Sequence, residues 1–92
     1  MRVISQDGTM DMPYEMSIMW SEDNGAILLQ AVGEVGEYQS FAKYSTEEKA
    51  KKAMKQLHDV YEDYLAEATP DGNGFCFVPP KVFQFPAEEE LE

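Results

Sequence analysis

Cysteine, basic side chains and long apolar runs are all scarce in this chain. Its 92 residues include 1 cysteine, Cys76, which excludes an intramolecular disulfide. Small secreted domains usually depend on several such bonds. No apolar run approaches the roughly 20 residues that cross a bilayer, and residues 1–4 are too short and too soon polar for a secretory signal. These shortages predict a location in the reducing cytoplasm.

Signatures of catalysis and of metal binding are missing as well. The sequence contains no HExxH, CxxC, GxGxxG or Walker motif. His58 falls beside the apolar stripe of a predicted helix and has Glu62 one turn away, which is ordinary surface geometry. Cys76 lies between Phe75 and Phe77 in an acidic protein, a poor setting for a reactive thiolate. We therefore predict that the protein is not an enzyme and has no cofactor or metal site.

Acid is what the chain has in excess. It carries 18 aspartates and glutamates against 7 lysines and arginines, and its formal net charge is −11. Such a chain is repelled by nucleic acid and by anionic membranes, and it is attracted by basic protein surfaces. Apolar residues still make up 43% of the sequence, with 5 phenylalanines and 5 tyrosines, so a folded core is expected. The length predicts one domain over residues 1–86, followed by an acidic, disordered tail over residues 87–92.

The first predicted hairpin follows the N-terminus. Asp7 and Gly8 favour a two-residue type I′ turn, in which both central residues need positive φ. A turn centred there pairs Val3 with Met12 on one face of the hairpin. Pro13 ends the pairing because it has no N–H to donate.

A second hairpin is predicted around Asn24 and Gly25, an even stronger signal for the type I′ turn. This turn implies a register that pairs Trp20 with Leu29. The face that contains Trp20 is then apolar and is expected to pack inward, while the opposite face is mixed in polarity. The apolar face consists of Met16, Ile18, Trp20, Ile27, Leu29 and Ala31.

Three further segments complete the predicted sheet. Residues 37–44 alternate in polarity and predict a fifth strand that continues the meander. Residues 75–78 predict a short strand, and residues 81–85 predict an extended segment with Phe83 and Phe85 on one side. The pattern therefore predicts an α+β fold: an antiparallel β-meander of two hairpins and a following strand, one long helix packed on one face, and C-terminal extended strands.

The helix begins at a capping signal. Ser45 and Glu48 form a capping box, in which the Ser45 hydroxyl accepts the Glu48 N–H and the Glu48 carboxylate reaches back. Apolar residues then recur at helical spacing from Ala50 to Ala68, and Pro70 belongs to the segment that stops the helix. The predicted core of the whole domain includes Val3, Ile18, Trp20, Leu29, Phe41, Met54, Leu57, Tyr61, Phe75 and Phe77.

Charge is distributed unevenly along this helix. Its lysines all lie in the first half, from Lys49 to Lys55, whereas acids load the second half. Acid near a helix C-terminus opposes the helix dipole by about 0.3–1 kcal/mol for a close charge. A sequence selected for stability alone would not choose that arrangement, so one interpretation is functional. The plainer interpretation is an ordinary solvated surface.

Three blocks of the sequence resemble a group of short proteins from phages and mobile elements of gut Firmicutes. The blocks are MRVISQDGT with the following PYE, then YSTEEKA, and finally FQFP before the acidic end. They are spread over most of the chain. The resemblance implies a mobile-element origin and implies that the acidic end is native. The group has no assigned function, so no catalytic or binding residue is carried over from it.

Three binding functions remain open. The leading hypothesis is a small phage-type accessory protein that binds a basic protein surface, such as the nucleic-acid channel of a host defence enzyme, by charge mimicry of phosphates. The second is a nucleotide-like small-molecule binder with a pocket between helix and sheet, where Lys51, Lys55 and exposed tyrosines hold the ligand. The third is a self-associating domain that forms a homodimer through its mixed sheet face. The candidate partner-binding residues of the leading hypothesis are Glu22, Asp23, Asp59, Glu62, Asp63 and Glu67.

Overall fold

The computed structural model of the protein describes residues 1–34, 36–67, 69–70, 76–77 and 81–91. Within them the predicted α+β class is confirmed, because a long helix packs against antiparallel strands. In chain order the elements are β1 (Arg2–Ile4), β2 (Asp11–Pro13), β3 (Ser17–Ser21), β4 (Ala26–Ala31), β5 (Gln39–Lys43), α1 (Glu47–Glu67), β6 (Thr69–Pro70), β7 (Cys76–Phe77) and β8 (Val82–Gln84), with 3-10 helices at Tyr14–Met16 and Glu88–Leu91.

The described strands form two three-stranded sheets and one short pair. β1 pairs antiparallel with β2 and parallel with β8, so the first hairpin and the C-terminal segment share a sheet. β3, β4 and β5 form the second sheet, an antiparallel meander, and β6 pairs with β7. The five strands expected to form one meander are therefore divided after Pro13, where β2 ends. Gln6 joins the two sheets, since its N–H donates to the Phe41 carbonyl at 2.8 Å and its Oε1 accepts the Lys43 N–H at 2.9 Å.

The first hairpin has the predicted register, with Val3 opposite Met12, but a different turn. Gly8 has a φ of +78° and donates its N–H to the Ser5 carbonyl at 3.0 Å. Asp7 does not have the positive φ that a type I′ turn requires there. The loop is four residues long rather than two, and this even difference preserves the register.

The second hairpin has a register one residue away from the predicted one, so that prediction is wrong. Trp20 lies opposite Leu28 rather than Leu29. The reason is again the turn, because Gly25 alone among its residues has positive φ, +89°, and its N–H donates to the Glu22 carbonyl at 3.1 Å. The loop therefore has three residues, a type I turn followed by a glycine bulge. One extra residue turns the side chains of β3 to the side opposite to the predicted one.

Exposure separates the two faces of the second sheet. Ile27 and Leu29 are 0% and 2% exposed on the inner face, where α1 packs. Ile18, which the sequence places in the core, is 53% exposed on the other side. Trp20, also expected in the core, lies on the same side as Ile18 and is half-buried. Both core predictions are wrong because the one-residue shift in register turns the side chains of β3 to the opposite side of the sheet.

The other residues predicted to form the core have different outcomes. Met54 packs against the core without being fully buried. Tyr61 is half-buried, and its ring centroid lies 4.6 Å from that of Tyr14. Phe75 and the side chain of Phe77 lie outside the described residues. The predictions that burial confirms are Val3, Leu29, Phe41 and Leu57.

The helix begins one residue later than the capping signal predicts. Thr46 is the N-cap, since its Oγ1 accepts the Lys49 N–H at 3.2 Å. The predicted exchange between Ser45 and Glu48 is therefore wrong. The end of α1 at Glu67, just before the predicted stop, agrees with the sequence.

The acidic end is part of the fold over residues 88–91, in contrast to the disordered tail that the sequence suggested. Those residues form a 3-10 helix, and Leu91 is 6% exposed in the core. The Glu88 carboxylate accepts the Ser45 N–H and lies 3.6 Å from Lys49 Nζ. The hydrogen bond from Ser45, and then the charge of Lys49, lower the pKa of Glu88. Burial of Leu91 and these two contacts fix the C-terminal segment against the start of α1.

Candidate functional site

The acids that were predicted to bind a partner occupy two separate places on the fold. Glu22 and Asp23 lie at the turn between β3 and β4, and the others lie in the second half of α1. The side chain of Glu67, the last of them, lies outside the part of the chain that the structure describes. The turn packs against the start of the helix, because a Cβ placed on Gly25 would lie 3.0 Å from the Thr46 carbonyl. Asp59 is 13 residues beyond Thr46, which corresponds to about 20 Å along a helix axis. The predicted residues therefore form two groups rather than one patch.

We call Asp59, Glu62 and Asp63 the acidic helix segment. Asp59 Oδ2 accepts a hydrogen bond from Lys55 Nζ at 2.9 Å, and this bond is the main reason that the pKa of Lys55 is raised. Glu62 and Asp63 are exposed, and neither belongs to a salt bridge among the residues that the structure describes. No lysine or arginine follows Lys55 before the helix ends at Glu67. The segment is therefore net negative.

The first half of α1 is net positive, because it carries four lysines against two glutamates. Lys51 Nζ lies 3.1 Å from Glu47 Oε1, one turn away, and Lys49 Nζ lies 3.6 Å from the Glu88 carboxylate. Pairs of this kind near a surface contribute little stability, but they cancel charge. The negative charge of the helix is consequently concentrated in its second half.

A set of exposed apolar residues lies on the side of the second sheet that faces away from α1. The one-residue shift in register places them together on this side. We call this side the outer face. Four of its apolar side chains are between 53% and 61% exposed. Two more, Trp20 and Leu28, are half-buried between their neighbours. The apolar members are Met16, Ile18, Trp20, Leu28, Val32 and Tyr38, and the polar members are Gln30 and Ser40.

Trp20 and Tyr38 make the main side-chain contact across the outer face. Their ring centroids are 5.9 Å apart in an edge-to-face arrangement. Trp20 belongs to β3 and Tyr38 directly precedes β5, so the rings meet over the middle strand, β4. Such pairs contribute about 0.5–1.5 kcal/mol beyond burial. The contact therefore orients Tyr38 although its side chain is 61% exposed.

Carboxylates border the outer face at both ends of its strands. At the β3–β4 turn, Glu22 Oε1 accepts the Trp20 Nε1–H at 3.1 Å. At the other end, Glu34 and Glu37 are exposed in the loop between β4 and β5. Lys43 is a cation at the turn end, and its Nζ donates to the backbone carbonyl of the turn at 2.6 Å. These three glutamates outnumber Lys43, so the charged residues named here give the border a net negative charge.

The sequence contains a signal from which this face could have been recognised. The run Glu-Asp-Asn-Gly at residues 22–25 fits a three-residue loop with a glycine bulge as well as a two-residue turn. The three-residue form places Trp20 opposite Leu28, as observed. The three-residue form also turns Ser17 and Ser21 towards the core. Polar residues usually face solvent, so the pattern of polarity favours the two-residue turn and its register.

Three cavities are lined by residues that the structure describes. One cleft of about 370 Å³ is lined by Leu29, Glu34 and Glu37, among others. Two others have volumes of about 140 and 230 Å³. Lys51 and Lys55 line none of the three, and their side chains are 66% and 77% exposed. The helix–sheet pocket expected for a nucleotide-like ligand is not among these cavities.

The residues weighed for chemistry lie apart from one another. His58 is exposed on α1, and the side chain of Cys76 lies outside the described part of the chain. In that described part, no three His, Cys, Asp or Glu side chains come together as ligands for a metal ion. No helix there is long and apolar enough to span a membrane.

The fold defines the class of the protein as an α+β domain with a helix on one face of an antiparallel sheet. No protein-family model, curated protein or solved structure matches the chain. Two surfaces of the described residues differ from an ordinary solvated surface: the acidic helix segment and the outer face.

Proposed function

We propose that this protein acts in the cytoplasm by binding a basic surface of another protein, with the acidic helix segment in the contact. The observation that supports this most strongly is the exposed, net negative second half of α1, where Glu62 and Asp63 have no described salt bridge. Acid at this end of a helix opposes the helix dipole. The sequence thus keeps an arrangement that lowers stability, and a role in binding explains why.

The proposed mechanism is charge mimicry of a phosphate backbone. Asp59, Glu62 and Asp63 are spaced by three and four residues, so they share one side of the helix with about 5–6 Å between neighbouring Cβ atoms. A basic site that normally holds phosphates meets this row of carboxylates. The net charge of −11 attracts such a site from a distance and repels nucleic acid itself. Association is then fast and weakened by salt.

A nucleic-acid-binding protein is the partner class that this chemistry fits, because its binding channel is built to accept phosphates. The resemblance to phage and mobile-element proteins favours a partner from the host cell, such as a defence enzyme. The protein is then a phage-type accessory protein that inhibits its target by occupying the channel.

A capture experiment tests the proposal. The immobilised protein is incubated with a Firmicute lysate at low and at high salt, and bound proteins are identified by mass spectrometry. We expect nucleic-acid-binding proteins to be retained at low salt, lost at high salt, and displaced by an added DNA duplex, because DNA competes for the same site.

Two matched variants locate the contact. The helix variant, Glu62→Gln with Asp63→Asn, should lose capture. The control variant, Glu48→Gln with Glu89→Gln, removes two other exposed carboxylates and should keep it. Equal capture by both variants, or capture that DNA does not displace, would contradict charge mimicry by the helix.

A further inference from the structure

We propose that the outer face is a docking site for a partner surface that is apolar at its centre and rich in lysine and arginine at its border. The inference rests on the proposed function, because it names the part of this chain that a basic partner contacts besides the acidic helix segment. A solvated sheet face normally carries polar side chains. Here Ile18 and Val32 are 53% and 54% exposed on such a face.

The apolar positions of the outer face are contiguous. Ile18 and Trp20 alternate along β3, and Trp20 lies opposite Leu28 on β4. Met16 lies beside Val32, whose N–H donates to the Met16 carbonyl at 2.9 Å. Scattered exposed apolar residues are normal on a monomer, but a contiguous patch with a polar border marks an interaction site. Trp and Tyr, which meet here, are also the residue types that contribute most to protein–protein binding.

The border selects the occupant. Glu22, Glu34 and Glu37 make it net negative, and Lys43 Nζ donates to the Asn24 carbonyl in the turn between β3 and β4. Lysines and arginines around an apolar centre on the partner would meet these carboxylates at the rim, while the centre excludes water. A second copy of this chain would bring a border of the same sign and its own charge of −11. Charge complementarity therefore favours a basic partner over a homodimer.

Trp20 provides a direct readout, because it is the 1 tryptophan in the sequence and lies on the outer face opposite Leu28. The probe is a synthetic amphipathic helix of leucine and lysine, and the control peptide replaces every lysine with glutamate. We expect the leucine–lysine peptide to move the Trp20 emission to shorter wavelength in a saturable titration. The leucine–glutamate peptide should leave the emission unchanged.

The face variant, Ile18→Ser with Val32→Ser, should weaken binding of the leucine–lysine peptide about tenfold or more. Leu65→Ser is the matched control, since Leu65 is 51% exposed on α1, away from the outer face. It should leave the affinity unchanged. All three replaced side chains are exposed, so both proteins should keep the wild-type circular dichroism and melting temperature.

The outcomes separate this inference from the proposed function. Loss of peptide binding in the face variant supports the outer face, whether or not the helix variant also binds more weakly. Loss in the helix variant with full binding in the face variant overturns the inference and leaves the proposed function standing. Absence of any emission change with the leucine–lysine peptide overturns it as well. So does a wild-type dimer in light scattering that dissociates in the face variant, because the occupant is then a second copy.

Discussion

The two hairpins of this protein have the same kind of turn signal and different outcomes. Each has a glycine preceded by Asp or Asn, and in each the glycine alone takes positive φ, +78° at Gly8 and +89° at Gly25. In the first hairpin the loop is two residues longer than a type I′ turn, and Val3 still lies opposite Met12. In the second the loop is one residue longer, and the register moves by one.

The difference shows that the number of residues in a hairpin loop decides which side chains face the core. An even change in loop length keeps every side chain on its face, whereas an odd change exchanges the faces. In the second sheet that exchange separates a buried inner face from an apolar outer face that faces solvent. The same two strands therefore supply both the core and the proposed docking site.

The largest effect should come from the inner face. Leu29→Ala empties a site that is 2% exposed and should lower the free energy of unfolding by about 2–5 kcal/mol. Leu28→Ala, one residue earlier on the outer face, removes a half-buried side chain and should cost about 1 kcal/mol or less. Urea unfolding of the two variants measures the difference. Equal costs, or a larger cost at Leu28, would mean that β4 has the opposite orientation.

The next largest effect should separate the two turns themselves. A Cβ on Gly25 would lie 2.2 Å from the Tyr44 carbonyl, whereas a Cβ on Gly8 would lie 3.5 Å from the end of the Gln84 side chain. In both alanine variants the positive φ should lower the free energy of unfolding by about 1–2 kcal/mol. In Gly25→Ala the neighbouring backbone must also shift to make room for the Cβ. We expect a total of about 2–3 kcal/mol for Gly25→Ala and the smaller figure for Gly8→Ala. Similar melting temperatures for the two variants would contradict this packing.

These turns also show how far the sequence predicts the fold. Local patterns predicted the α+β class, the first register and the end of α1, because each depends on residues close in the chain. The second turn depends on a distant contact, the packing of Gly25 beneath the Tyr44 carbonyl, with the Tyr44 N–H donating to the Gly25 carbonyl at 2.9 Å. No local pattern contains that contact, so two registers remained compatible with the sequence.

The two candidate surfaces also differ in how far the sequence predicts them. The acidic helix segment was recognisable, because charge and helical spacing are both local properties of the sequence. The outer face was not, because its membership depends on the register of β3. The separation of the predicted acids into two groups also depends on tertiary packing, which places the Glu22 turn beside the start of α1.

The helix N-terminus, like the second hairpin, lies one residue away from its predicted position, with a smaller expected effect. Thr46→Ala removes the hydroxyl that accepts the Lys49 N–H and should cost about 1 kcal/mol. Ser45→Ala keeps the backbone N–H that donates to Glu88 and should stay within about 0.5 kcal/mol of the wild type. Thermal unfolding of both variants tests the assignment. A larger loss in Ser45→Ala would restore the capping box that the sequence predicted.

The smallest effect concerns pH and again compares the turns. Asp7 Oδ1 accepts hydrogen bonds from the Ser5 hydroxyl at 2.7 Å, the Thr9 hydroxyl at 2.7 Å and the Thr9 N–H at 3.0 Å. These bonds, with that from Ser5 first, lower the pKa of Asp7 from 3.8 to about 2. In the second turn the corresponding residue is Asn24, whose Oδ1 accepts the Ala26 N–H at 3.0 Å and does not titrate. Acid should therefore weaken the first turn through Asp7, while the contact made by Asn24 stays unchanged.

The direction of this pH dependence follows from the lowered pKa. A carboxylate that is more acidic in the folded state stabilises the fold above its unfolded pKa, and the contribution is lost as pH falls through the folded value. The advantage of the wild type over Asp7→Asn should be complete above about pH 5, decline below 3.8 and be small near pH 2. Urea midpoints of both proteins from pH 7 to pH 2 measure it. Asp11, Glu15 and Glu88 also have lowered pKa values, but they are present in both proteins and cancel in the difference. A difference that stays constant across this range would show that the charge of Asp7 does not stabilise the first turn.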